Sequence, residues 1–250
     1  MKYFAKIRYV GTDFCGFQVQ PQKRTVQGVL NEATHSLFGC TCNITGCSRT
    51  DSGVHANEFC ITIEPTSPNA NVIPANKIHK AIAIYLPCDL SLYEACEVPD
   101  DFHPRYDVKS KEYKYLVYNA DVNNPFYHKR AWQIFRKITD DGVERMKEAA
   151  ALFVGTHDFT AFMNTDSDME DRVRTIYNFD VSKNGDEIVF LVSADGFLYN
   201  MVRIMVGTLI SVAFGNFSCD DISIMLKSKK RTEAGMTAPP DGLYLNSVVY

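Results

Sequence analysis

Hydrophobic and polar positions alternate along the first ten residues, and this period of two predicts a β-strand over 2–10. After Thr25, apolar residues recur with the 3.6-residue period of a helix until Gly39, so Thr25 is predicted as the N-cap of a helix. Alternation returns at 40–45 and at 58–64, which predicts two further strands with a polar loop between them.

The rest of the chain continues to mix helical and strand patterns. Helices are predicted at 74–85, 139–154, 198–214 and 220–227, and strands at 89–98, 111–119, around Trp132, 174–182, 187–194 and 243–250. Neighbouring strands occur without a regular β-α-β alternation, so the expected fold class is α+β, with two α/β lobes and largely antiparallel sheets. The lobes are expected to be 1–104 and 105–250, with a catalytic cleft between them.

The composition excludes several classes of protein. Of the 250 residues, 46% are hydrophobic and 22% are charged, values that are not those of a disordered chain, a collagen or a coiled coil. The longest uncharged stretch, 204–219, is shorter than the ~20 apolar residues that a membrane helix needs. The first residues lack the apolar core of a secretory signal, so we expect a cytoplasmic protein whose eight cysteines are reduced and mostly buried.

The charge distribution leaves a nucleic-acid partner open. A net charge of −4 argues weakly against one, because phosphate neutralisation requires clustered basic residues. Three such clusters nevertheless occur: Arg105, Lys109, Lys111 and Lys114; Lys129, Arg130, Arg136 and Lys137; and Lys227, Lys229, Lys230 and Arg231. Each cluster is either a solvated face or part of a phosphate-binding surface.

The polar loop between the second and third strands is the first candidate for chemistry. It places Arg49, Asp51 and His55 within eight residues, and Gly53 is free to adopt a left-handed conformation beside the carboxylate. The alternative is an ordinary turn in which Asp51 caps its own backbone.

Arg203 and Tyr113 are the second and third candidates. Arg203 is the only charged residue between Asp195 and Asp220 and lies in a helix that is apolar nearly all round, so it should face a carboxylate or a polar cleft. Asn200, one turn earlier, favours the cleft, although a purely structural arginine stays open. Tyr113 lies on a lysine-flanked strand and is either a stacking platform for a base or a core residue.

Motifs along the whole chain resemble one family. The segments concerned are Tyr9-Val10-Gly11-Thr12-Asp13, Thr25-Val26-Gln27-Gly28, Ser48-Arg49-Thr50-Asp51-Ser52-Gly53-Val54-His55-Ala56, Phe102-His103-Pro104-Arg105, Lys111-Glu112-Tyr113-Lys114-Tyr115, Gly155-Thr156-His157-Asp158-Phe159, Leu198-Tyr199-Asn200-Met201-Val202-Arg203 and Ala238-Pro239 with Gly242-Leu243-Tyr244-Leu245. Their order and content are similar to those of the tRNA pseudouridine synthase A family. Phe17 departs from the family, in which tryptophan is frequent, but this change does not touch the chemistry.

The resemblance implies a function and assigns roles. It implies isomerisation of uridine to pseudouridine at positions 38, 39 and 40 of the tRNA anticodon stem-loop, by a homodimer without cofactor or metal ion and with no membrane association. Asp51 would be the nucleophile, Arg203 its ion-pair partner, and Tyr113 the residue that stacks on uracil and removes the C5 proton. Arg49 would fill the space left by the flipped nucleotide, and Arg105, His55 and Asn200 are further candidates for substrate binding.

Two other functional classes compete with this interpretation. A catalytically silent RNA-binding or chaperone protein of the same fold would have no need for Asp51, Tyr113 and Arg203 together. A small-molecule enzyme that uses Asp51 and His55 as acid and base would leave the basic clusters and Tyr113 unexplained.

Overall fold

The computed structural model of the protein describes residues 1–165 and 170–250. The strands in these residues are β1 (Lys2–Tyr9), β2 (Cys42–Gly46), β3 (His55–Pro65), β4 (Leu90–Val98), β5 (Ser110–Tyr118), β6 (Trp132–Gln133), β7 (Gly155–Asp158), β8 (Val173–Asn184), β9 (Glu187–Ala194) and β10 (Leu243–Val249). The α-helices are α1 (Val26–Phe38), α2 (Ala75–Ile82), α3 (Asp140–Ala151), α4 (Met201–Ala213) and α5 (Cys219–Ser228). These elements form two compact units.

The first unit comprises Met1–Lys109 and Tyr244–Tyr250. Its strand order is β4-β1-β3-β10, and β2 also pairs with β3. All of these pairs are antiparallel except β3 with β10, which run parallel where His55 faces Tyr244. The Asp51 loop connects β2 to β3, so the two strands that flank it are hydrogen-bonded neighbours.

Helix α1 in the first unit forms where its sequence signals place it. The hydroxyl of Thr25 accepts a hydrogen bond from the backbone N–H of Gly28 at 3.2 Å, which satisfies one of the unpaired donors of the first turn. Gly39 ends the helix in the left-handed conformation with φ of 69°. Leu30 and Phe38 are fully buried on its apolar face, so both caps and the period of the apolar residues agree with the prediction.

The second unit comprises Ser110–Leu243 and has the strand order β5-β9-β8-β7. β8 and β9 form a long hairpin, and β9 pairs antiparallel with β5 so that Tyr113 lies opposite Val192. The two-residue strand β6 pairs with β5 in parallel. This arrangement fixes the face of β5 from which Tyr113 and Tyr115 project, because alternate residues of a strand share a face.

Helix α4 belongs to the second unit, and most of its residues are buried. It begins at Met201, later than predicted, because Asn200 has φ of 61° and cannot continue a right-handed helix backwards. At Gly207 an added Cβ would lie 2.0 Å from the carbonyl oxygen of Met236, so the segment before β10 crosses this helix in direct backbone contact.

The structure confirms an α+β fold with largely antiparallel pairing. The chain divides after Lys109, and residues from Tyr244 onward belong to the first unit, whereas the sequence suggested a division after residue 104 with the closing strand in the second lobe. One strand was missed: Gly155, expected to end a helix, begins β7 with φ of 110°. None of the helices in the described residues combines the length and apolar character that a membrane span requires.

The cysteines are partly as expected. All eight are free thiols, but only Cys47 and Cys60 are buried, so the expectation that most would be buried is wrong. Burial raises the pKa of the half-buried Cys42 thiol to about 11, which keeps it protonated and unreactive at neutral pH.

Candidate active site

The loop that carries Asp51 is fixed to the segment after β1. The backbone N–H of Phe17 donates to the carbonyl of Thr50 at 3.1 Å, and that of Gly53 donates to the carbonyl of Phe14 at 3.2 Å. The buried hydroxyl of Thr50 also shares a hydrogen bond of 2.7 Å with the hydroxyl of Tyr9. Hydrogen bonds on either side of Asp51 thus hold the backbone of a loop that has no regular secondary structure.

Two glycines allow this attachment. Gly53 has φ of 82°, as the sequence suggested for the residue that redirects the chain after the carboxylate. Gly16 also has φ of 82°, and a Cβ there would lie 2.6 Å from the carbonyl oxygen of Thr50. A side chain at either position would strain the backbone that presents Asp51, which is itself partly exposed.

His55 is buried and makes structural contacts. Its side chain is inaccessible, its Nδ1 accepts the backbone N–H of Gly11 at 2.9 Å, and its ring stacks on Tyr244 with 4.5 Å between the ring centroids. These contacts tie the end of the loop to the turn after β1 and to β10. His55 therefore supports the loop and presents no accessible surface to a substrate.

Arg49 and Arg105 are brought together. Both side chains are exposed, and both line one cavity of about 200 Å³ in the first unit. They are 56 positions apart in sequence, so only the fold of the first unit places two guanidinium groups at one cavity.

In the second unit, Tyr113 projects from β5 with 7% of its surface exposed. Its ring meets Phe197 edge to face, with 5.0 Å between the centroids and an interplanar angle of 87°. This packing fixes the ring plane, as an aromatic platform requires, and it equally satisfies the interpretation of Tyr113 as a core residue.

The side chain of Arg203 is held by neutral oxygens of the same unit. Its Nε donates to the carbonyl of Ala238 at 2.7 Å, and one terminal nitrogen donates to Oδ1 of Asn200 at 2.8 Å. The left-handed backbone of Asn200, immediately before the helix, turns its amide towards the arginine three residues later. Asn200 is thus placed to orient Arg203, in addition to its suggested role in substrate binding.

Sequence reasoning missed the part played by Tyr115. This residue is fully buried, and its hydroxyl donates to the carbonyl of Pro239 at 2.7 Å, next to the residue that accepts from Arg203. Burial raises the pKa of Tyr115, the positive charge of Arg203 lowers it in part, and Asp241 raises it. The available signal was a tyrosine on the buried face of a strand, whose hydroxyl must find a partner.

The basic residues after α5 differ from one another. Lys229 pairs with Asp158 at 2.7 Å and Lys230 with Glu233 at 3.3 Å. Arg231 donates to backbone carbonyls, including that of Gly235 at 2.9 Å. Arg231 therefore stabilises the local fold, whereas the lysines keep exposed ammonium groups.

Metal chemistry has no visible site in the residues that the structure describes. No group of three or more histidine, cysteine, aspartate or glutamate side chains is arranged there to hold an ion.

The sequence motifs of the Asp51 loop, of β5 and of α4 suggested one family, and comparison with known proteins identifies the class of the chain. The family described as tRNA pseudouridine synthase matches residues 5–107 and 149–250. The chain belongs to this family.

Individual relatives agree along nearly the whole chain. A protein of Thermoanaerobacter sp. (strain X514) named tRNA pseudouridine synthase A is 41% identical over 244 residues, covering 98% of this chain and 97% of its own. Proteins with the same name from Geobacter sp. (strain M21) and Anoxybacillus flavithermus are 40% and 41% identical over 245 residues, covering 98% of this chain and 96% of theirs.

A solved structure described as a Cbf5-Nop10-Gar1 complex is a more distant neighbour. It is 12% identical with a TM-score of 0.34, and the alignment covers 82% of this chain and 53% of that one. At this score the likeness establishes nothing about the site.

Proposed function

We propose that this protein isomerises uridine to pseudouridine in tRNA, at positions 38, 39 and 40 of the anticodon stem-loop. Membership of the tRNA pseudouridine synthase family, with some 40% identity to relatives along nearly the full chain, supports the reaction. Within the molecule, the proposal rests on the hydrogen bonds that hold the Arg49-Thr50-Asp51 segment. They present one carboxylate from a fixed loop.

The chemistry requires such a carboxylate. The N1–C1′ bond of uridine breaks, the uracil turns, and a C5–C1′ bond forms; C5 then loses its proton and N1 gains one, so no atom or electron is added from outside. Attack on the ribose, attack on the uracil and a glycal route all begin with an ionised carboxylate close to the nucleoside. We assign this role to Asp51.

The other roles follow from the surroundings of each residue. Tyr113, with its ring fixed by Phe197, stacks on the uracil and accepts the C5 proton. Arg203, oriented by Asn200 and Ala238, supplies the positive charge that keeps the carboxylate of Asp51 ionised. Arg49 binds the RNA beside the flipped nucleotide, because an enzyme that acts on a base must extrude it. The reaction needs no cofactor and no metal ion.

The assembly proposed is a homodimer that acts in the cytoplasm. The net charge of −4 is unfavourable for a long RNA contact by one chain, and two copies would double the number of basic clusters that one tRNA meets.

Release of tritium from tRNA transcripts that carry [5-³H]uridine tests the function directly. Each isomerisation frees one C5 hydrogen, so transcripts with uridine at only one of the three positions report on each position separately. Release from all three is the expected result, and the Asp51→Asn variant is the matched inactive control. Folded protein that binds tRNA and releases no tritium would establish the silent RNA-binding alternative.

A further inference from the structure

The cavity lined by Arg49 and Arg105 is also lined by His103 and Tyr106, which have no role in the function proposed above. His103 and Tyr106 stack against each other there, with ring centroids 4.2 Å apart and planes inclined by 29°. Tyr106 is 76% exposed, so one face of its ring is buried against the imidazole and the rest is open to solvent. An aromatic ring held flat and left open is the form that a base-stacking platform takes.

The turn that carries this ring pair is rigid. The backbone N–H groups of Arg105 and Tyr106 both donate to Nδ1 of His103, at 3.1 and 3.3 Å. The backbone N–H of His103 donates to the carboxylate of Asp107 at 2.7 Å, and the N–H of Asp107 returns to the carbonyl of His103 at 3.1 Å. The imidazole on which Tyr106 stacks is therefore held by the backbone of its own turn.

The floor of the cavity is also preformed. Phe17 stacks on Phe59 with 4.5 Å between centroids. The side chain of Gln27 accepts from the N–H of Val19 at 3.0 Å and donates to the carbonyl of Ile44 at 2.9 Å. Binding here would order few side chains, which lowers its entropic cost.

The electrostatics select an anionic ligand. The lining contains two arginines and no aspartate or glutamate. Within residues 1–165 and 170–250, no carboxylate approaches either guanidinium within 4.0 Å, whereas Arg24 pairs with Asp89 at 2.8 Å in the same unit. Two unneutralised guanidinium groups beside an open aromatic ring match a phosphate joined to a base.

Size and position narrow the ligand further. About 200 Å³ is below the ~300–1,000 Å³ that encloses a drug-sized molecule, which suits a single base that stays partly in solvent. Arg49 is two residues from Asp51, and their Cα atoms are therefore at most about 7 Å apart. A nucleotide in the cavity would be close in the RNA chain to the one that Asp51 attacks.

We propose that this cavity binds a second, unpaired nucleotide of the substrate RNA near the reacting uridine, with its base on Tyr106 and its phosphate between Arg49 and Arg105. The proposal rests on the function proposed above and adds a base-binding subsite to it. An RNA loop offers such nucleotides, because its bases unstack at low cost.

A cycle that combines protein and RNA changes tests the subsite. Affinity is measured for a series of synthetic tRNAs, each lacking one base near the target uridine, with the wild type and with Tyr106→Ala. Removal of one particular base should weaken binding to the wild type about 5- to 150-fold and should have no further effect on Tyr106→Ala. Tyr106→Phe should behave as the wild type, and Tyr85→Ala, which removes another exposed ring of the same unit, is the matched control.

The salt dependence of RNA affinity tests the proposed contacts of Arg49 and Arg105 with phosphate. Arg49→Gln and Arg105→Gln should each flatten the dependence of log affinity on log salt by about 0.7. Tyr106→Ala should lower affinity at an unchanged slope.

The outcomes separate the two proposals. If no base couples to Tyr106 while wild-type protein releases tritium from the same tRNAs, the subsite is wrong and the function stands. A flattened slope in the arginine variants without coupling to Tyr106 also overturns the base-binding subsite. Coupling without tritium release would support a binding subsite and refute the catalytic function.

Discussion

Arg203 and Ala238 are joined by two hydrogen bonds of opposite direction. The Nε of Arg203 donates to the carbonyl of Ala238 at 2.7 Å, and the backbone N–H of Ala238 donates to the carbonyl of Arg203 at 3.1 Å. Ala238 therefore orients the Arg203 side chain and is also hydrogen-bonded to the Arg203 backbone. A guanidinium fixed in this way loses little side-chain entropy when it meets an anion.

Asp51→Asn should abolish turnover and leave tRNA affinity within a few-fold of wild type. The amide keeps the size of the side chain but cannot act as a nucleophile or base. Single-turnover tritium release measures the chemical step, and filter binding measures affinity. Asp13→Asn, an exposed aspartate of the same unit, is the control. Residual activity above about one part in a thousand would mean that a different carboxylate performs the chemistry.

Tyr113→Phe should preserve the ring packing and slow the removal of the C5 proton. The contact with Phe197 involves the ring alone and is kept in the variant, whereas loss of a general base typically costs ~10²–10⁴ in rate. The rate with C5-deuterated uridine measures the step: the variant should show a larger isotope effect than wild type. Tyr118→Phe on the same strand is the control, and normal turnover by Tyr113→Phe would remove the hydroxyl from the mechanism.

Asn200→Gly should lower turnover about 5- to 20-fold with little change in stability, because it deletes one acceptor of the Arg203 guanidinium. Glycine suits the left-handed backbone with φ of 61°, so the variant removes the amide without adding strain. The pH dependence of turnover distinguishes an effect on the Arg203 charge from a general structural effect. If Arg203 is less well oriented, the Asp51 carboxylate is protonated at higher pH, so the acid limb of the profile should move to higher pH. Asn216→Gly is the control, and an unshifted profile at full activity would show that Asn200 does not position Arg203.

Replacement of Lys227 and Lys230 by Gln should weaken tRNA binding and reduce the salt slope by about 1.4 to 1.8 in total. Lys229 and Arg231 are kept, because the ion pair of Lys229 with Asp158 and the bonds of Arg231 to the carbonyls of Ala234 and Gly235 stabilise the fold. Affinity measured over a range of salt concentrations checks this, with Lys147→Gln as the control. An unchanged slope would assign the phosphate contacts to the other basic clusters.

Acid should destabilise the protein partly through Asp158. Burial raises the pKa of this carboxyl, but hydrogen bonds from Lys229 and Thr160 outweigh it and hold the pKa below the usual 3.8. A depressed pKa in the folded state stabilises the fold above pH 3.8, and this contribution is lost as the pH falls through the lower value. The free energy of unfolding by urea should therefore fall less on acidification in Asp158→Asn than in wild type or in Asp101→Asn. Equal falls in all three proteins would contradict the assignment.

The sequence determined the helices and strands where local chemistry is decisive. Thr25 and Gly39 delimit α1 because a hydroxyl cap and a left-handed glycine act on their own neighbours, and neither needs a distant contact. The Arg49-Thr50-Asp51 motif likewise stands within one loop, and it carried the family resemblance that the comparisons confirm.

The tertiary structure alone decided which residues meet. No local pattern shows that the hydroxyl of Tyr115 donates to the carbonyl of Pro239, 124 positions later. Nor does one show that the buried ring of His55 contacts Gly11 and Tyr244. The cavity lined by Arg49 and Tyr106 is equally invisible in the sequence. Strand pairing decides which residues become neighbours, and buried polar groups must then find hydrogen-bond partners among those neighbours. Both depend on the whole fold rather than on any one segment.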